Sequence, residues 1–313
     1  MPGSSPTPEA RDGDRPPPSP LEPSGTATTS DGVEVCYYDL GGHGPALVLA
    51  HATGFCAAVL SPLAAMLRDR FRCVALDLRA HGRSERPVNG DFDWHGFAAD
   101  VLAVVDRLGL DSPAGFGHSC GGATLLLAEQ ARPGTFDALY CYEPIVRPAD
   151  APLAPNLEGN PLSRGALRRR NVFASREEAL ANFSAKAPFD RFRPDVLAAY
   201  VDNGFAPEPG GGISLRCRRD DEALVYAHGF SHNAFTQLST VGCPVTLACG
   251  AETDNFGPDF LALLAGRLVR STTLALPGLR HFGPLEDPAT VARSVSASLA
   301  DRGDPTDTET LRG

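Results

Sequence analysis

Ala114-Gly115-Phe116-Gly117-His118-Ser119-Cys120-Gly121-Gly122 decides how the rest of this 313-residue chain is read. An apolar run enters it from Asp111-Ser112-Pro113, and an alanine- and leucine-rich run, 123–131, leaves it. Between them, Gly117-x-Ser119-x-Gly121 reads as a sharp turn from a strand into a helix. Such a turn holds the serine in a strained backbone state, so the flanking positions need glycine. It also lifts the hydroxyl above the sheet at a helix N-terminus, where free N–H groups favour negative charge. The pattern alone is loose and arises by chance in glycine-rich chains, so its weight comes from the strand before and the helix after. Ser119 is the candidate nucleophile.

On either side of this stretch the same rhythm recurs. The runs 45–50, 72–76 and 138–142 are continuous and apolar, as strands buried on both faces are, and helical stretches at 57–69 and 96–108 separate them. It resumes with strands at 244–249 and 272–276 and helices at 258–268 and 288–299. Ser30-Asp31-Gly32 reads as a hairpin turn into a strand at 33–38. Strand alternating with helix implies an α/β fold: a mostly parallel sheet flanked by helices. Between 145 and 235 the rhythm stops, and short helical pieces at 176–185, 194–203 and 220–228 suggest an inserted helical cap. The expected organisation is a core of 28–144 and 236–300, a cap at 145–235 that sets specificity, and a frayed tail at 301–313. Residues 1–30 hold eight of the 28 prolines and almost no large apolar groups, so 1–27 should form a disordered tail.

Composition limits the partners. A net charge of −10 argues against nucleic acid. No run approaches the roughly 18 apolar residues of a membrane helix, and no secretory signal is visible at the N-terminus. The eight cysteines show no C-x-x-C and no zinc spacing, which fits a reducing, cytoplasmic setting and no metal.

A neutral hydroxyl is a weak nucleophile and needs a base. His281, between the last strand and the last helix, is the candidate; His51, His81 and His118 lie in glycine-containing turns that suit packing or hydrogen bonding. The base needs an acid to fix its tautomer. Asp254, after the penultimate strand, is the first choice, with Glu252 and Glu143 as alternatives, Glu143 otherwise a pocket residue. The oxyanion donors should be the backbone N–H of Cys120 and of Thr53, where Gly54 permits close approach and Phe55 shapes the pocket. Phe230, His232 and Phe235, where the cap returns to the core, are candidates for the pocket or for packing. The turn from Asp77 to Ser84 reads as a brace.

Together, His51-Ala52-Thr53-Gly54-Phe55, Asp77-x-Arg79-x-His81-Gly82-x-Ser84, Gly117-His118-Ser119-Cys120-Gly121-Gly122, Gly250-x-x-x-Asp254 and His281-Phe282-Gly283-Pro284-Leu285 resemble the α/β-hydrolase superfamily, with its esterase, epoxide-hydrolase-like and cofactor-free haloperoxidase members. All five motifs occur in family order across about residues 26–300. Ala52 and Ala80 stand where many members have glycine. Serine at 119 argues against epoxide hydrolase or haloalkane dehalogenase chemistry, where the family uses aspartate. The resemblance implies a cofactor-free serine hydrolase acting on a small-molecule ester, thioester or lactone. Carbon–carbon hydrolysis, acyl transfer, perhydrolysis or a ligand receptor on the same fold are the alternatives.

Overall fold

The computed structural model describes residues 20–150, 153–254 and 256–300. Its sheet strands in the first half are β1 (Gly25–Thr28), β2 (Glu34–Gly41), β3 (Ala46–Ala50), β4 (Arg72–Leu76), β5 (Ala114–His118) and β6 (Ala138–Tyr142). Three short strands follow, β7 (Val172–Phe173), β8 (Phe205–Pro207) and β9 (Ile213–Leu215), and then β10 (Val245–Gly250) and β11 (Ser271–Leu276). The main sheet runs β1-β2-β4-β3-β5-β6-β10-β11. β2 is antiparallel to both neighbours, and every pair from β4 to β11 is parallel.

The parallel strands alternate between two apolar layers. In β3, Leu47 and Leu49 point into one layer and Val48 and Ala50 into the other. Helices α1 (Ser61–Ala65), α2 (Trp94–Leu108) and α3 (Cys120–Ala131) precede the β6–β10 connection. That connection carries α4 (Pro161–Leu167), α5 (Arg176–Ser184), α6 (Pro194–Asn203) and α7 (Arg219–His228). After it come α8 (Pro258–Ala265), α9 (Gly283–Glu286) and α10 (Pro288–Ala300). α2 is capped by Asp93, whose side chain accepts from the His95 amide, and ends at Gly109 in the left-handed region. No described helix is long and apolar enough to cross a membrane.

Two features depart from the sequence reading. The β6–β10 connection, read as a helical cap, contains a three-stranded antiparallel sheet, β7-β9-β8, besides its helices. The expected tail at 1–27 reaches into folded structure: Gly25 to Thr28 pair with Tyr37 to Glu34, and the Leu21 amide donates to Asn203 Oδ1 at 2.7 Å. Glu22 accepts two bonds of 2.8 Å from Arg83. Backbone pairing, which needs no large side chain, anchors this segment. Residues 1–19 and 301–313 of the expected tails lie outside the described residues.

Candidate active site

Ser119 sits between β5 and α3 at φ 57° and ψ −115°. The turn is possible because its neighbours lack side chains: a Cβ on Gly121 would lie 2.2 Å from the Ala50 carbonyl oxygen, and one on Gly117 would lie 2.5 Å from that of Gly121. The Ser119 amide donates to the Tyr142 carbonyl at 2.9 Å, which fixes the turn to β6. Its hydroxyl projects from the carboxyl end of the parallel strands, where sites of open α/β sheets form.

His281 lies in the loop after β11, with Nε2 3.1 Å from Ser119 Oγ. Two buried side chains at the ends of β5 and β6 hold the loop by consecutive carbonyls. His118 Nε2 donates to His281 O at 2.8 Å, and the Tyr142 hydroxyl donates to Arg280 O at 2.7 Å. Burial pulls His118 well below its ordinary range, helped by the adjacent His281, so it stays neutral with its proton on Nε2. The rings of Phe282 and Phe256 flank the His281 imidazole at 5.0 and 5.4 Å.

The carboxylate facing His281 is Glu143, with Oε2 2.6 Å from Nδ1. Glu143 is fully buried and adopts φ 44° directly after β6. Its Oε1 accepts from the Gly250 amide at 2.9 Å and its Oε2 from the Thr253 hydroxyl at 3.0 Å. This corrects the expectation for Asp254. Asp254 is exposed, four residues beyond the end of β10, whereas β6 lies next to the Ser119-bearing β5. Glu252 is also exposed and lies 3.8 Å from Arg280. The penultimate strand contributes donors to the acid instead of the acid itself.

The amides of Thr53 and Cys120 make no hydrogen bond among the described residues. Thr53 follows β3, and Cys120 begins α3, where no preceding turn supplies an acceptor. The Cys120 thiol lies 4.0 Å from the Thr124 hydroxyl, and burial pushes it up to about 12. His51 steadies the turn by donating from Nδ1 to Ala52 O at 2.7 Å and accepting from the Leu78 amide at 3.1 Å. Asp77 braces its far side, accepting from the Ala57 and Arg83 amides and from the Tyr38 hydroxyl.

The sequence matches the alpha/beta hydrolase family over residues 47–294. The chain belongs to the alpha/beta hydrolase family. It is 27% identical to a bifunctional esterase/perhydrolase of Acinetobacter calcoaceticus, over 88% of this chain and 99% of that one. It is 36% identical to a non-heme chloroperoxidase of Streptomyces lividans, over 82% and 92%. The solved structure of E-2-(acetamidomethylene)succinate hydrolase superposes with a TM-score of 0.72 at 19% identity, over 87% and 97%, a likeness of fold.

In this hydrolase an aromatic wall joins the turn after β3 to the β6–β10 connection beside Ser119 and His281. Phe55 stands 5.8 Å from the rings of Phe192 and Phe282 and 5.2 Å from that of Tyr200. Phe230, His232 and Phe235 find their partners elsewhere. His232 stacks on Trp94 at 5.1 Å and its Nε2 donates to Ile145 O, Phe235 lies under Arg267, and Phe230 is exposed. Phe192, Phe256 and Phe282 were missed in the sequence; Phe282 alone carried a signal, its place next to His281. Surface hollows of about 460 and 390 Å³ exist, but Ser119, Glu143 and His281 line neither.

Proposed function

We propose that this hydrolase is a serine esterase that cleaves a small-molecule ester, thioester or lactone through a Ser119–His281–Glu143 triad. The observation that carries the reading is the unbroken chain Ser119 Oγ–His281 Nε2, His281 Nδ1–Glu143 Oε2 beside two unengaged amides. His281 takes the Ser119 proton as the oxygen attacks the carbonyl carbon, and Glu143 steadies the resulting imidazolium. The Thr53 and Cys120 amides receive the negative oxygen of the tetrahedral intermediate. His281 returns its proton to the leaving group, and water activated by the same nitrogen then releases the acid from Ser119. The aromatic wall of Phe55, Phe192 and Phe282 favours an apolar acyl group.

A second reading has support from the esterase/perhydrolase relative. Hydrogen peroxide in place of water would attack the same acyl-enzyme, releasing a peracid and the free serine. The test of the main reading is turnover of p-nitrophenyl esters with fluorophosphonate labelling. Wild type should hydrolyse the ester and be labelled at Ser119. Ser119→Ala should lose about 10⁶-fold in kcat and all labelling. Labelling of the alanine variant at the wild-type rate would refute the assignment. Adding peroxide to the wild type and assaying peracid separates the two fates of the acyl-enzyme.

A further inference from the structure

Arg169 and Glu222 take no part in the Ser119–His281–Glu143 chain, yet they lie against the turn that carries Thr53. Arg169 follows α4, Glu222 belongs to α7 and Tyr200 to α6, so three separate cap elements converge here. Arg169 Nη1 donates to both Glu222 oxygens at 2.7 and 2.6 Å, and Nη2 donates to the Tyr200 hydroxyl at 2.7 Å. The side chains of Arg169 and Glu222 are 20% and 4% exposed. Burial works against the arginine's charge, but the facing Tyr200 and Glu222 hold it protonated, above its ordinary value.

The contact with the core falls on Gly54. This residue has φ 81°, and a Cβ there would lie 2.6 Å from Glu222 Oε1 and 3.2 Å from Arg169 Nη1. The Tyr200 ring meets Phe55, the next residue, at 5.2 Å. The Phe55 amide closes the turn onto Ala52 O at 3.2 Å, leaving Thr53 inside a loop gripped at two consecutive residues. Both terminal nitrogens of Arg169 are engaged within the protein, and its charge is matched by Glu222. The cluster is therefore poorly suited to capturing a substrate carboxylate and well suited to fixing backbone.

We propose that Arg169, Glu222 and Tyr200 are positioning residues, a buried cap clasp on Gly54 and Phe55 that holds the Thr53 amide where the oxyanion forms. The cap thus contributes to rate as well as to specificity. This inference rests on the esterase reading given above. Breaking a buried pair by removing one charge strands the other, whereas replacing both by apolar groups is often tolerated. Two variants are therefore compared, Glu222→Gln and the double Arg169→Met/Glu222→Leu. On p-nitrophenyl acetate and butyrate, kcat should fall about 10–100-fold for both variants with KM within about twofold, because a displaced donor acts on the transition state. Affinity for phenylboronic acid, which mimics the tetrahedral adduct, should weaken in parallel, and amide hydrogen exchange across residues 51–56 should accelerate. A folded double variant with wild-type kcat and wild-type exchange at 51–56 overturns the proposal. So does a loss confined to KM for acid-bearing esters such as a succinate monoester, since Arg169 would then be reading the substrate. If the wild type turns over no ester, the esterase reading fails, while exchange at 51–56 still decides whether the clasp orders the turn.

Discussion

Glu143 is held at φ 44°, a backbone state that disfavours side chains, while its carboxylate receives Gly250 N, Thr253 Oγ1 and His281 Nδ1. Such strain persists where surrounding bonds over-determine it, and it gathers at functional sites. Glu143→Gln is expected to cost roughly 10⁴-fold in kcat, because an amide cannot stabilise the imidazolium and invites the wrong tautomer. Asp254→Asn should stay near wild type. The reverse pattern in parallel steady-state assays would move the proposed acid back to β10. Ser119 and His281 were legible because a glycine-bracketed turn and a lone histidine between strand and helix leave few alternatives. The acid was not. Glu143, Glu252 and Asp254 all follow strand ends in the sequence, and choosing among them requires knowing that β6 lies between β5 and β10. It also requires the left-handed twist at residue 143, which no residue type announces.

At the scale of elements, the buried parallel strands were readable because burial on both faces leaves continuous apolar runs. The β7-β9-β8 sheet was not, since its strands span only two or three residues each and show no period. β1 was lost for a related reason. Its sequence, Gly-Thr-Ala-Thr, buries little besides Ala27, and its hold on the fold is the backbone ladder to β2. Deleting residues 1–28 removes that ladder together with the Leu21–Asn203 and Glu22–Arg83 bonds. The expected loss is about 2 kcal/mol, or roughly 4–8 °C in Tm at a typical 2–4 °C per kcal/mol. Deleting residues 1–19 keeps every one of those contacts. Calorimetry on both truncations is the check, and an unchanged Tm for the longer deletion would show that β1 merely rests on the sheet.

Taken whole, the molecule buries many of its histidines, which makes its stability sensitive to acid. Burial lowers His51 and His232 to about 4 and His81 to about 3, and it holds His118 well below the ordinary range. In the unfolded chain each would take up a proton near pH 6.5. Between pH 6.5 and about 4 the unfolded state therefore binds more protons, so these groups withdraw stability as pH falls. Three carboxyls and His95 act in the opposite sense. Burial raises Asp100 to about 6 despite Arg79 and raises Asp77 and Glu286 as well, and the hydrogen bond to Asp93 raises His95, so these groups favour the folded state as pH falls. With His228 also lowered by burial, five histidines against three carboxyls and His95 leave a net loss, each uncompensated group changing stability by about 1.4 kcal/mol per pH unit. Denaturant melts should thus show a markedly lower unfolding free energy at pH 5 than at pH 7. His232 offers a way to assign the slope, because both ring nitrogens have backbone partners, Ile145 O at 3.1 Å and the Ala234 amide at 3.4 Å, with His95 and Asp93 the nearby titrating groups. His232→Gln keeps a donor for that carbonyl but cannot take up a proton. It should cost about 1–2 kcal/mol at pH 7, from the lost stacking on Trp94 and a poorer hydrogen bond. The variant should then lose less stability than wild type between pH 6.5 and 5. Parallel stability curves for the two proteins over that interval would remove His232 from the acid-sensitive set.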